Sequence, residues 1–173
     1  MTAMSRIEVP AGQNPLVYVF TELAPPLTKA AGGLSDAVYR KSCLTTRELE
    51  AARITVARIN DCALCLEWRS ARDVPSRAGD ADTIDERFYT LVLDQPDSPE
   101  LSERERLAAE FASRYCTEHR AMDDELWARL RSAYRDEELV DLGLCVASWL
   151  GLGRFNQVFG LDDACAIPAL RRA

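Results

Sequence analysis

The stretch Leu44-Thr45-Thr46-Arg47-Glu48-Leu49-Glu50, continuing to Cys62-Ala63-Leu64-Cys65-Leu66-Glu67-Trp68-Arg69, sets a carboxylate, two closely spaced thiols and a cation at helical spacings. Thr45 followed three residues later by Glu48 is a capping box. In it the hydroxyl and the carboxylate satisfy backbone N–H groups that a helix start leaves open, so a helix is predicted from about Thr46 to Ile59. Asn60-Asp61 then breaks it: Asn tolerates the left-handed conformation that ends a helix, and Asp61 is a strong N-cap for the next. Cys62 falls at about the first helical position and Cys65 one turn on. The open N–H groups and the positive end of the helix dipole favour a thiolate there, while the Asp61 carboxylate opposes part of that effect.

Residues three apart share a helix face, with Cβ atoms roughly 5–6 Å apart. Cys62 and Cys65 can therefore close a reversible disulfide with modest adjustment. Arg69 lies four residues beyond Cys65, so its guanidinium is expected to face both thiols and to pair with Glu50. Glu50 shares a stripe with Ile54 and Ala57, an apolar setting that raises a carboxyl pKa unless a cation answers it. The plainer reading makes Glu50 half of a helix-surface pair with Arg47 or Arg53, three residues away on either side. Glu50, Cys62, Cys65 and Arg69 are the candidate catalytic residues.

Glu50 with Cys62-x-x-Cys65 twelve residues on resembles the carboxymuconolactone decarboxylase and alkylhydroperoxidase D-like family. In that family a glutamate, a C-x-x-C pair and a histidine four residues after the second cysteine form a proton-relayed thiol site. Leu101 to Leu107, Asp136 to Val140 and Gly153 to Asn156 look like its later helices, and the likeness runs from about Leu44 to Gly160. The resemblance implies an all-α helical bundle, assembled as a homo-oligomer, with Cys65 as the peroxide-reducing thiol, Cys62 as the resolving one and Glu50 in the proton relay. Helix position alone makes Cys62 the more acidic, and the two readings stay open. Here the histidine position holds Arg69, which cannot be deprotonated in a protein and so cannot shuttle protons.

The whole chain bounds these readings. Its 173 residues, 47% hydrophobic, suffice for one well-buried core. The organisation expected is an arm with short framing helices over 1–43, the helical domain over 44–160 and a tail over 161–173, one domain overall. A net charge of −7 argues against nucleic acid or an anionic membrane surface as partner. No run reaches the roughly 18 apolar residues of a membrane span. The start Met1 to Arg6 lacks the apolar stretch of a secretory signal, so a cytoplasmic protein is expected, with Cys43, Cys116, Cys145 and Cys165 as reduced thiols.

Along the chain, residues 1–14 read as an extended arm. Asn14-Pro15 starts a short helix that Pro25-Pro26 stops, Gly32-Gly33 marks a turn, and Ser35 caps another short helix to about Ser42. Pro75 and Gly79 punctuate the chain before a two-turn helix bearing Ile84, Phe88, Leu91 and Val92. Ser102 with Glu105 is a second capping box, opening a helix through about Glu118. The segments Leu44 to Ala52 and Leu101 to Ala109 match at six positions at an offset of 57, Thr45 against Ser102 included. Shared cap chemistry explains that more simply than an internal repeat. Asp123 or Asp124 caps a helix bearing Leu126 and Leu130. From Leu139 to Phe159 the chain is apolar on nearly all sides, which predicts burial, part of it against another subunit.

Cys62, Cys65, Cys116 and His119 form a conceivable zinc set, but the gap between the pairs is long for one. No metal or cofactor is expected. His119 reads as a polar helix end, and Trp68 and Trp149 as packing residues. The leading function is peroxide reduction by the C-x-x-C pair, weakened by Arg69, with an external dithiol as reductant. The alternatives are a decarboxylase or isomerase-like enzyme on a small carboxylate-bearing lactone clamped by Arg69, and a non-catalytic oligomeric binding protein.

Overall fold

Cap chemistry sets most of the helix starts. In the computed structural model, which describes residues 5–75 and 84–161, the elements are α1 (Pro15–Thr21), α2 (Pro25–Lys41), α3 (Thr46–Ile59), α4 (Ala63–Glu67), α5 (Ser70–Asp73), α6 (Glu86–Asp94), α7 (Glu103–Glu118), α8 (Asp124–Ala133) and α9 (Asp136–Val158). A 3₁₀ turn at His119–Ala121 separates α7 from α8. The fold is all-α, with no strand among the described residues. Both capping boxes are closed, Thr45 with Glu48 and Ser102 with Glu105. Asp85 and Asp123 cap α6 and α8 through their carboxylates.

α3 is the central element. Leu49, Ala51, Ala52, Ile54, Val56 and Ala57 are all buried, against α7 on one side and α9 on another. Ala51 and Ala52 of α3 and Ala108 and Ala112 of α7 are fully buried in the same core. The matching segments at the heads of α3 and α7 also pair reciprocally. Arg47 Nε donates to Glu105 Oε1 at 2.5 Å, and Arg104 Nε donates to Glu48 Oε1 at 2.6 Å. Each arginine lies over an aromatic ring, Arg47 over Phe88 at 4.4 Å and Arg104 over Tyr134 at 4.1 Å.

Several local expectations need correction. Pro25 and Pro26 do not merely stop α1; they begin α2, where proline's missing N–H has no intrahelical partner to lose. α2 then runs unbroken through Gly32-Gly33, so no turn forms there and no separate helix starts at Ser35. The arm is tied down from its described start, since Arg6 N–H donates to the Phe159 carbonyl at 2.9 Å. α9 is apolar all round but not buried all round. Leu142, Cys145 and Val146 are in the core, while Val140 is 63% and Leu144 54% exposed on the single chain. Gly79, Cys165 and residues 162–173 lie outside the described residues. Among the described residues, no helix is long and apolar enough to cross a membrane.

Candidate active site

The turn after α3 aims the two cysteines. Asn60 closes α3 in right-handed geometry, and Asp61, not Asn60, takes the left-handed conformation with φ 49°. Cys62 is therefore the N-cap of α4, its Sγ accepting from the Cys65 N–H at 3.2 Å, in the role expected of Asp61. Cys65 sits three residues into the helix. The two cysteines are joined as a disulfide, with Cα atoms 5.2 Å apart. The bond thus runs from the N-cap residue to the third helical residue, with Cys62 just outside the helix face on which it was expected.

Glu50 is fully buried, and its cation is Arg53. Arg53 Nε and Nη2 donate to the two carboxylate oxygens at 2.6 and 2.8 Å. The pair is no surface bridge, since Arg53 is 2% and Glu50 0% exposed. Tyr89 donates its hydroxyl to Glu50 Oε2 at 2.6 Å, and the Ser70 hydroxyl donates to Oε1. Four donors fill the roughly four acceptor positions of a carboxylate. Burial pushes the Glu50 carboxyl up, but the Arg53 charge and the hydrogen bonds from Arg53, Ser70 and Tyr89 outweigh it and hold it below the usual glutamate range. Tyr89 is driven strongly upward by its own burial and by Glu50, so it stays a protonated donor.

Arg53 also ties this pair to the cysteine turn. Its Nη1 donates to the Cys65 carbonyl at 2.6 Å and its Nη2 to the Trp68 carbonyl at 2.8 Å. The sequence carried the signal in the three-residue spacing of Glu50 and Arg53 and in the apolar stripe that Glu50 shares with Ile54 and Ala57, but it offered Arg47 and Arg69 as partners as well. Ser70, Tyr39 and Tyr89 were missed because their approach to the site is a tertiary fact.

Arg69 does not pair with Glu50. α4 ends at Glu67, and Trp68 and Arg69 are extended, with ψ of 141° and 110°, so Arg69 leaves the helix face that carries Cys65. Its guanidinium binds Glu86 through Nε and Nη2 at 2.9 and 2.8 Å and stacks 3.9 Å from the Tyr89 ring centroid. Its Nη1 donates to the carbonyls of Leu66 and Trp68 at 2.5 and 2.8 Å.

A cavity of about 270 Å³ opens beside Cys65. Leu64, Trp68, Trp149, Leu152 and Tyr39 form much of its wall, and Arg53 is the one charged side chain among the described lining residues. Tyr39 packs between the two indoles, its ring 6.2 Å from each, and burial pushes its hydroxyl up to about 12. Cys62 and Arg69 do not line this cavity.

The other described thiols lie elsewhere. Cys145 donates to Asp141 Oδ1 at 3.3 Å, and the Cys43 backbone N–H donates to Oδ2 of the same carboxylate at 3.0 Å. Desolvation, then Asp141, pushes the Cys43 thiol up, and burial does the same at Cys116. Cys116 and His119 are not brought to Cys62 and Cys65, and among the described residues no three His, Cys, Asp or Glu side chains gather as a metal-holding group.

The fold and the site together describe an all-α protein with a paired-thiol turn tied through Arg53 to a buried Glu–Arg pair. The architecture is AhpD-like. It is similar to the crystal structure of a protein of unknown function, ATU0492 from Agrobacterium tumefaciens, described there as a proposed antioxidant defence protein AhpD. The TM-score is 0.65 at 20% identity, covering 90% of this chain and 95% of that one. In sequence, the chain is 30% identical over 127 residues to the uncharacterized protein YnjA of Escherichia coli (strain K12). That match takes in 72% of this chain and spans 65% of the relative's length. No protein-family model matches the chain.

Proposed function

We propose that this chain is a thiol-dependent peroxidase of the carboxymuconolactone decarboxylase and alkylhydroperoxidase D-like family. The observation that carries the reading is the placement of Cys65, bonded to Cys62 and lining the cavity beside the buried Glu50–Arg53 pair. The description of the Agrobacterium protein as an antioxidant defence protein supports the same direction.

The geometry favours Cys65 as the attacking thiol, because Cys65 meets the cavity and Cys62 does not. The Cys65 thiolate attacks the distal oxygen of a hydroperoxide; the O–O bond breaks, and the leaving alkoxide takes a proton and departs as the alcohol. Cys65 is left as a sulfenic acid. The Cys62 thiol displaces hydroxide from that sulfur, water leaves, and the disulfide closes. An external dithiol then reduces it by exchange, giving up two electrons and two protons.

Glu50 is a poor proton relay in this resting arrangement, since it is held ionised and its acceptor positions are filled. Arg69 cannot supply the proton either. Turnover is accordingly slow, lacking much of the roughly 10²- to 10⁴-fold that general acid–base catalysis contributes. The lactone-acting alternative needs Arg69 free to hold a carboxylate, and Glu86 already occupies it on two nitrogens.

Anaerobic thiol counting before and after one equivalent of hydroperoxide tests the reading. The expected result is loss of two thiols, mapped by peptide analysis to Cys62 and Cys65. An unchanged count, or loss at Cys43 or Cys116 instead, overturns it.

A further inference from the structure

The carbonyls of residues 65–68, at the end of α4, have no partner inside that helix, as at any helix C-terminus. Guanidinium groups take all of them. Arg53 Nη1 donates to the Cys65 carbonyl at 2.6 Å, Arg69 Nη1 to that of Leu66 at 2.5 Å and Arg72 Nη2 to that of Glu67 at 3.0 Å. The Trp68 carbonyl accepts from Arg53 Nη2 and Arg69 Nη1, each at 2.8 Å. α4 has five residues, far below the roughly 12–15 at which a helix is even marginal alone, so contacts of this kind must hold it. Of the three arginines, Arg53 alone is buried, alone lines the cavity and alone reaches Cys65.

We infer that Glu50 and Arg53 are positioning residues: Glu50 fixes the guanidinium, and the guanidinium sets the backbone of Cys65 and Trp68, so that thiol and indole meet the same cavity. The carboxylate takes two of the arginine contacts and the two carbonyls take the others, a division that the planar fork of a guanidinium permits. Glu50 is itself fixed, by the hydroxyls of Ser70 and Tyr89. A lysine ammonium has three donors on one nitrogen and cannot span the same partners. Moving protons is not the task of this pair. The inference rests on the peroxidase reading, in which Cys65 attacks, and there placement matters, since an error of about 1 Å can cost on the order of 10²-fold in rate.

The test is stopped-flow oxidation of the full chain, reduced at Cys62 and Cys65, by cumene hydroperoxide across a range of pH, with circular dichroism to confirm folding. Arg53→Lys keeps the charge but not the fork, and should slow the first turnover by about 10- to 10²-fold. Arg72→Gln removes an α4 contact away from Cys65 and should leave that rate unchanged. Glu50→Gln keeps an oxygen that accepts from Arg53 and removes the group able to carry a proton. Its rate should stay within about tenfold of wild type, the order of one lost hydrogen bond, and its curve against pH should keep the wild-type shape. A folded Arg53→Lys as fast as wild type overturns the inference. A larger loss in Glu50→Gln, or disappearance of one limb of its pH curve, makes Glu50 a proton carrier and overturns it as well; this variant decides if Arg53→Lys does not fold. A wild type that keeps its thiols overturns the peroxidase reading and the inference with it, whereas a wild type that loses two, beside an indifferent Arg53→Lys, overturns the inference alone.

Discussion

Arg53 grips both oxygens of Glu50 from one turn along the same helix, at 2.6 and 2.8 Å, and the pair is sealed from solvent. Removing one partner of such a pair strands a buried charge. Arg53→Met should therefore cost about 3–5 kcal/mol in urea unfolding. The double variant Glu50→Leu with Arg53→Met should recover much of that loss, since an apolar pair of similar volume needs no compensation. If the single variant costs no more than the double, the pair is not buried as described.

The same pair fixes a pH dependence. The Glu50 carboxyl is held below its unfolded value of about 4.3. Its contribution is therefore fully present above that unfolded value and is lost as the pH falls through the depressed folded one. Acid titration of unfolding free energy should show this loss in the wild type. Glu50→Gln should be less stable at neutral pH and show a shallower decline in acid. Parallel curves for the two would refute the assignment.

Arg69 acts as a brace for the turn after α4, through Glu86, the Tyr89 ring and two carbonyls. Arg69→Gln should lower the melting temperature by several degrees, for a loss of about 1–2 kcal/mol. It should leave the two-thiol loss to hydroperoxide in place. Abolition of that loss in a folded Arg69→Gln would return the side chain to the thiols, where the helical spacing had put it.

The starts of α3 and α7 were legible because a capping box is local chemistry, complete within four residues. The paired cysteines were legible for the same reason. Misreadings came where the answer depended on what lay across the fold. Pro25-Pro26 and Gly32-Gly33 look like punctuation, yet the first open a helix and the second lie inside it. Arg69 keeps its register on a helix wheel only if α4 continues, and α4 stops at Glu67. The choice of Arg53 as the partner of Glu50 was available in the spacing, but its burial is a property of α3 packed among its neighbours.

Two kinds of glycine should respond oppositely to alanine. A Cβ on Gly153 would sit 2.6 Å from Asn60 Nδ2, and Asn60 is buried and donates to the Trp149 carbonyl at 3.2 Å. Gly153→Ala should destabilise by about 1–3 kcal/mol, the usual cost of overpacking. At Gly32 and Gly33 a Cβ meets nothing within 4 Å, inside a continuous helix. Alanine there should stabilise by about 0.4–1 kcal/mol at each position by narrowing the unfolded ensemble. Chemical denaturation measures all three, and a destabilised Gly32→Ala would mean that α2 is broken after all.

α9 leaves an apolar strip uncovered on the single chain, with Val140 63%, Leu144 54% and Val158 69% exposed. The first two are four residues apart, one above the other on a helix face. Exposed apolar side chains are ordinary singly, but neighbours on one face of a largely apolar helix favour a partner surface. Light scattering at micromolar concentration should find an oligomer. Leu144→Asp places a charge that an apolar contact must desolvate, at a cost of several kcal/mol if it stays ionised and buried. It should shift the protein toward the monomer while its far-UV circular dichroism is unchanged, because the position lies outside the core of the single chain. A monomeric wild type would contradict the sequence-based expectation of a homo-oligomer. An oligomer indifferent to Leu144→Asp would instead move the contact away from this face of α9.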